Sequence, residues 1–168
     1  MMPLSKLAPV RTRVVGGYEK FAAGLEWAAP VSLLLFRLWV ATDFWRAGSV
    51  KFSNLPSTVS LFQYVYHVPL LPPVWAAYLG TGIELVIPWF IGLGLLGRPA
   101  ALLLFVYNII AVISYPALWP NGFWAGLWGG GFTDHKVWAL MLLAIVLYGP
   151  GKLSLDHLLK RWLGGGRR

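Results

Sequence analysis

Four apolar runs, each close to the length that crosses a bilayer, constrain this chain more than any other feature. They are residues 30–50 (PVSLLLFRLWVATDFWRAGSV), 74–96, 99–119 and 132–149. An α-helix needs about 20 apolar residues to cross about 30 Å of hydrocarbon. The 168-residue chain is 58% hydrophobic and only 12% charged, against roughly 25% charged in a soluble domain. The expected fold is therefore all-α: an integral membrane four-helix bundle with short amphipathic interfacial helices. Three parts are expected, namely a basic N-terminal lead-in over 1–29, a four-transmembrane-helix domain over 30–149, and a basic amphipathic tail over 150–168.

The net charge of +8 is distributed by side. With four crossings, one face receives Lys6, Arg11, Arg13, Lys20, Arg98, Lys152, Lys160, Arg161, Arg167 and Arg168, and the other only Lys51 and Lys136. Positive residues accumulate on the cytoplasmic side, so both termini are expected to be cytoplasmic. Basic tails beside membrane helices meet anionic lipid, and no nucleic-acid role is expected. The first 28 residues hold six charges and no apolar core, so no signal peptide is expected and the N-terminus is read as retained. The absence of cysteine excludes disulfide and thiol chemistry. His67, His135 and His157 lack metal-ligand spacing, and no metal is expected.

Local signals refine the helices. Pro30 suits the first turn of helix one, Thr133 can N-cap helix four, and Gly149-Pro150-Gly151 ends it. The 58–66 stretch (TVSLFQYVY) is read as a short helix at the interface. Beyond residue 151, Leu155, Leu158, Leu159, Trp162 and Leu163 recur at helical spacing, with Lys160 and Arg161 opposite, as in an interfacial helix.

Charges placed in hydrocarbon need partners or a cavity, since each costs about 2.5 to 3.5 kcal/mol. By helical rise, Asp43 lies about 10 Å from the outer end, Glu84 about 15 Å, Asn108 about 14 to 16 Å and Arg37 about 20 Å. These levels predict a buried polar layer in which Arg37 reaches Glu84, with Asn108 nearby. Arg37 and Arg46 point to opposite sides of helix one, and Asp43 and Arg46, three residues apart, are expected to pair. Lys51 is expected at the water boundary, its stem snorkelling outward. The arc carrying Val31, Leu34, Leu35, Leu38, Thr42, Trp45 and Ser49 is expected to face lipid or a partner. Gly80, Glu84, Pro88 and Gly92 form a stripe that lets a neighbouring helix approach. The outer face presents His67, Trp124, Trp128, Asp134 and His135; the tryptophans read as an interfacial belt, and Asp134 suits the positive end of a helix dipole.

An arginine early in helix one, Phe44, Gly48 and Lys51 within FWRAGSVKF, a glutamate in the glycine-rich second helix, and GPGKLSLD at 149–156 together resemble the DoxX family. The resemblance spans about residues 30 to 157. It implies a four-helix inner-membrane protein, with Arg37, Gly48, Lys51, Glu84 and Asp156 as the family-like positions. Some members are linked to thiosulfate:quinone oxidoreductase, so the resemblance implies a non-electron-carrying subunit of a redox or respiratory-type membrane complex. Its polar pocket would lie close to quinone, and other membrane-complex subunits would be its partners. A purely structural or assembly subunit, or a small-solute carrier, are the alternatives.

Overall fold

In the computed structural model, residues 7–164 are described, with the side chains of α1 described from Val15 onward except Trp27. Lys6, Arg167 and Arg168 of the charge asymmetry lie outside them. The described chain is all-helical: α1 Leu7–Ser53, α2 Leu55–Tyr64, α3 Pro73–Leu93, α4 Gly97–Ser114, a 3₁₀ turn Pro116–Leu118, α5 Phe123–Trp128, α6 Thr133–Tyr148 and α7 Leu155–Gly164.

Helix α1 is one continuous element of 47 residues, about 70 Å long at 1.5 Å per residue. Pro30 therefore lies inside it rather than at its first turn. The proline leaves one carbonyl without its usual donor, and the helix continues through it. Helices α1, α3 and α4 are each long and apolar enough to cross a membrane. Helix α6, at 16 residues, is shorter.

Helices α1, α3, α4 and α6 share one dry core of Val40, Phe44, Ile91, Ala100, Ala101, Leu104, Leu142 and Ile145. The alanines of α4 keep that helix close to its neighbours, since interfaces in lipid depend on close packing. A smaller cluster of Phe62, Ala76 and Ala77 holds α2 against the start of α3. Two ends follow: a loop end bearing α2 and α5, and a tail end bearing α7.

The local chemistry of the element ends is specific. Asn54 caps α2, its side-chain oxygen accepting from the Ser57 N–H at 3.1 Å. Thr133 does not cap α6. The cap position is Phe132, in the left-handed region at φ 37°, and the Thr133 hydroxyl donates instead to the Gly130 carbonyl at 3.0 Å. Gly149 ends α6 at φ 82°, as its sequence predicts.

At the tail end Asp156 reaches across the fold. Its two carboxylate oxygens accept from the Leu96 and Gly97 N–H groups, each at 2.8 Å, and its own N–H donates to the Gly94 carbonyl at 3.0 Å. Helix α4 has no side-chain cap of its own, because Leu96 at its start, left-handed at φ 49°, carries no acceptor. A carboxylate from the far side of the sequence thus satisfies the exposed donors and complements the positive end of the helix. Arg37, fully buried, donates from Nη2 to the Leu153 carbonyl, fixing the same segment to α1. Gly94 is required beside it at φ 67°, because a Cβ there would overlap the guanidinium.

Candidate functional site

The close approach of α1 and α3 begins at Gly48. A Cβ at this position would stand 2.8 Å from Glu84 Cβ and 2.9 Å from the Glu84 carbonyl carbon, so only glycine lets the two backbones meet here. One turn nearer the loop end, Lys51 leans back toward the N-terminus of its helix, as helical side chains do. Its ammonium reaches the Glu84 carboxylate at 2.6 Å and 2.5 Å. The Tyr107 hydroxyl of α4 donates to Glu84 Oε1 at 2.7 Å. Glu84 is therefore held by a cation and a phenol, with side-chain exposures of 19% for Lys51 and 5% for Glu84.

This arrangement corrects three expectations. Arg37 does not meet Glu84, because Gly48 is the α1 residue that lies against Glu84, which leaves Arg37 about 16 Å away along the helix. Lys51, rather than snorkelling to water, is the partner of Glu84. Asn108 lies apart from both. Its Nδ2 donates to the His135 carbonyl at 2.9 Å, and its Oδ1 faces His135 Nδ1 at 2.8 Å. With the amide so oriented, His135 Nδ1 carries the proton, and Nε2 of the neutral ring remains an acceptor.

Asp43 and Arg46 do not pair either. Asp43 turns toward α6 and accepts from the Trp138 indole at 3.0 Å. A buried indole N–H needs an acceptor, and this bond draws the carboxylate away from Arg46. Arg46 is exposed on the opposite flank, with no side-chain hydrogen bond or ion pair among the described residues.

These groups border a cavity of about 380 Å³ at the loop end, within the range typical of small-molecule sites. Aromatic walls from Phe44, Trp138, Tyr66 and Tyr115 surround Lys51, Glu84, Tyr107, Asp43 and His135. The rings interlock edge to face: Phe44 with Trp138 at 5.2 Å, His135 with Trp138 at 4.9 Å, and Tyr66 with Tyr115 at 5.1 Å. Helix α2 supplies a further wall through Phe62, and its position is tied to the site by the Thr58 hydroxyl, which donates to the Lys51 carbonyl at 2.8 Å. Burial pushes the Tyr66 phenol above its ordinary range, with Tyr115 and Glu84 adding to the effect. It is a protonated donor at neutral pH.

The other loop-end candidates stay outside the cavity. His67 is exposed and contributes its backbone N–H to the Ser114 carbonyl at 2.7 Å. Trp124 and Trp128 project from α5 and are largely exposed. Asp134 is exposed in the first turn of α6. Lys136 closes the α5 segment from below, its ammonium donating to the carbonyls of Gly126, Leu127 and Gly129. Sequence reasoning had no signal for Tyr107, Trp138 or Tyr66, because an aromatic residue in an apolar helix reads as core. A signal for Lys51 was present: at 100° per residue it shares a face with Arg37, Phe44 and Gly48.

Comparison with known proteins agrees with this frame. A protein of Haemophilus influenzae described as uncharacterized is 28% identical over 132 residues, covering 78% of this chain and 85% of its own. No solved structure matches. The DoxX family pattern matches residues 32–117, half of the chain, a stretch that holds Arg37, Gly48, Lys51, Glu84 and the α4 residues Tyr107 and Asn108. On that match, the chain belongs to the DoxX family of membrane proteins.

Proposed function

We propose that the chain is a non-electron-carrying membrane subunit of a quinone-linked redox complex, with the loop-end cavity receiving the quinone headgroup. In this reading α6 is a fourth crossing, both termini face the cytoplasm, and the membrane is the bacterial inner membrane. The concentration of Lys and Arg at the tail end supports that orientation. One observation carries the proposal: a cavity of about 380 Å³ with aromatic walls onto which a carboxylate, an ammonium, phenols and an imidazole converge.

The polar groups fit both redox forms of such a ligand. Tyr66 and the remaining proton of the Lys51 ammonium are donors for a carbonyl oxygen, while His135 Nε2 is an acceptor for a hydroxyl. Reduction of a quinone to a quinol takes two electrons and two protons; the electrons come from the partner subunit and the protons from water at the loop end. Glu84 accepts from both the Lys51 ammonium and the Tyr107 hydroxyl, which holds these two donors beside the cavity. Phe44 and Trp138 exclude water and stack on a planar ring.

Decylubiquinone added to the purified protein in nanodiscs is expected to quench tryptophan emission saturably, with Trp138→Phe losing most of the saturable part. His135→Ala and Glu84→Gln are expected to weaken binding about tenfold, the equivalent of about 1.4 kcal/mol. Quenching that never saturates, or is unchanged in all three variants, overturns the proposal.

A further inference from the structure

Arg46 stands on the side of α1 turned away from the cavity, and its surroundings point to a second site. Gly48 lies against Glu84, and Ala41 Cβ lies 3.6 Å from where a Cβ on Gly92 would be. Arg46 is therefore level with about Val86 of α3, roughly 20 Å from the loop end of that helix and about 10 Å from its tail end. Helix α3 matches the thickness of the hydrocarbon slab, so the guanidinium base sits well inside it. Among the described residues no acid or carbonyl meets it.

Beside Arg46 runs a groove of about 290 Å³ between α1 and α3, floored by Ala41, Pro88 and Gly92 and rimmed by Trp45 and Trp89. The two indoles meet edge to face at 6.2 Å. Thr42 in the groove has its hydroxyl turned to the Leu38 carbonyl at 2.7 Å, so the floor offers no donor. Arg46 follows Thr42 by four residues and covers the turn that carries it. The result is an apolar groove at membrane depth, with Arg46, which has no ion pair among the described residues, one turn beyond Thr42 on the same helix.

We propose that this groove seats a membrane helix of another polypeptide, an apolar helix carrying one aspartate or glutamate level with Arg46. Charge complementarity selects this occupant. A lipid phosphate lies outside the slab, about two helical turns from the Arg46 backbone. A second copy of this chain has no free acid to offer at that level: Glu84 is held by Lys51 and Tyr107, and Asp43 by Trp138. A partner carboxylate would form the fork-like pair that arginine favours, and the groove would receive the helix as ridges fill grooves. The proposal depends on α1 and α3 lying in the membrane and not on the cavity's ligand.

The test places a photoreactive benzoylphenylalanine at Thr42 of the full chain in its own host membrane, with Leu140 on α6 as the control position. The expected adduct is a polypeptide whose cross-linked membrane segment contains an Asp or Glu. Arg46→Glu should reduce that adduct at least tenfold, Arg46→Lys should retain it, and changing the partner acid to lysine should restore it in the Arg46→Glu background. A melting temperature unchanged in both Arg46 variants shows that they fold, whatever the cavity binds, and separates this result from failure of the cavity assignment. An adduct with lipid alone, with a second copy of this chain, with a segment lacking an acid, or no adduct above the Leu140 control overturns the proposal.

Discussion

At the level of single residues, the loop-end site turns on Glu84 and what holds it. Removing one member of a buried pair leaves an uncompensated charge and costs about 3 to 5 kcal/mol, whereas removing both costs far less. Lys51→Met and Glu84→Leu are each expected to lower the unfolding free energy in detergent by about 3 kcal/mol. The double variant should lose less than their sum, with a coupling of about 0.5 to 3 kcal/mol. Additive losses would show that the pair does not act as a unit. Tyr107→Phe removes one hydrogen bond to a charged oxygen and should cost about 1.5 to 3 kcal/mol in the same denaturation measurement. The polar members of this site were legible as residues, but their pairing was not. Depth counting places Arg37 and Glu84 at one level only if both helices end at the same plane, and α3 begins beyond the end of α1. The face shared by Gly48 and Lys51 was the better guide, since a glycine marks where two backbones touch.

At the scale of elements, two contacts fix the architecture. Gly48→Ala forces a Cβ into Glu84, and overpacking of this kind costs about 1 to 3 kcal/mol. The expected outcome is a lower melting temperature together with loss of the Lys51–Glu84 pair, visible as weaker decylubiquinone quenching. A variant as stable as the parent would contradict the close approach of α1 and α3. Asp156→Ala removes the donor-satisfying carboxylate at the start of α4 and should cost about 1 to 3 kcal/mol. Faster tryptic cleavage at Lys152 and Lys160 would report release of the tail. The existence of these helices was legible because apolar length is a strong signal in a chain that contacts lipid. Their ends were less so. Pro30 read as a start and lies inside a helix, while Thr133 read as a cap and is not one, since a short-range preference yields to packing around it. Asp156 capping α4 from 59 and 60 residues away leaves no local trace at all.

At the scale of the whole molecule, the polarity of the two ends assigns them different work. The tail end is locked: buried Arg37 and Asp156 tie α1, the α3–α4 turn and the segment before α7 into one unit. The loop end is open and carries the cavity, with titratable groups from four helices at its wall. This division follows from the fold, since the short helix α2 supplies Phe62 to the cavity wall and leaves space between itself and the longer helices. Labelling with an azidoquinone in nanodiscs shows whether this space takes a quinone. Adducts on peptides containing Phe44, Tyr66 or Trp138, suppressed by excess decylubiquinone and reduced about tenfold in Glu84→Gln, are the predicted result. Adducts confined to exposed residues such as Leu140 or Trp89, or indifferent to the competitor, would contradict it.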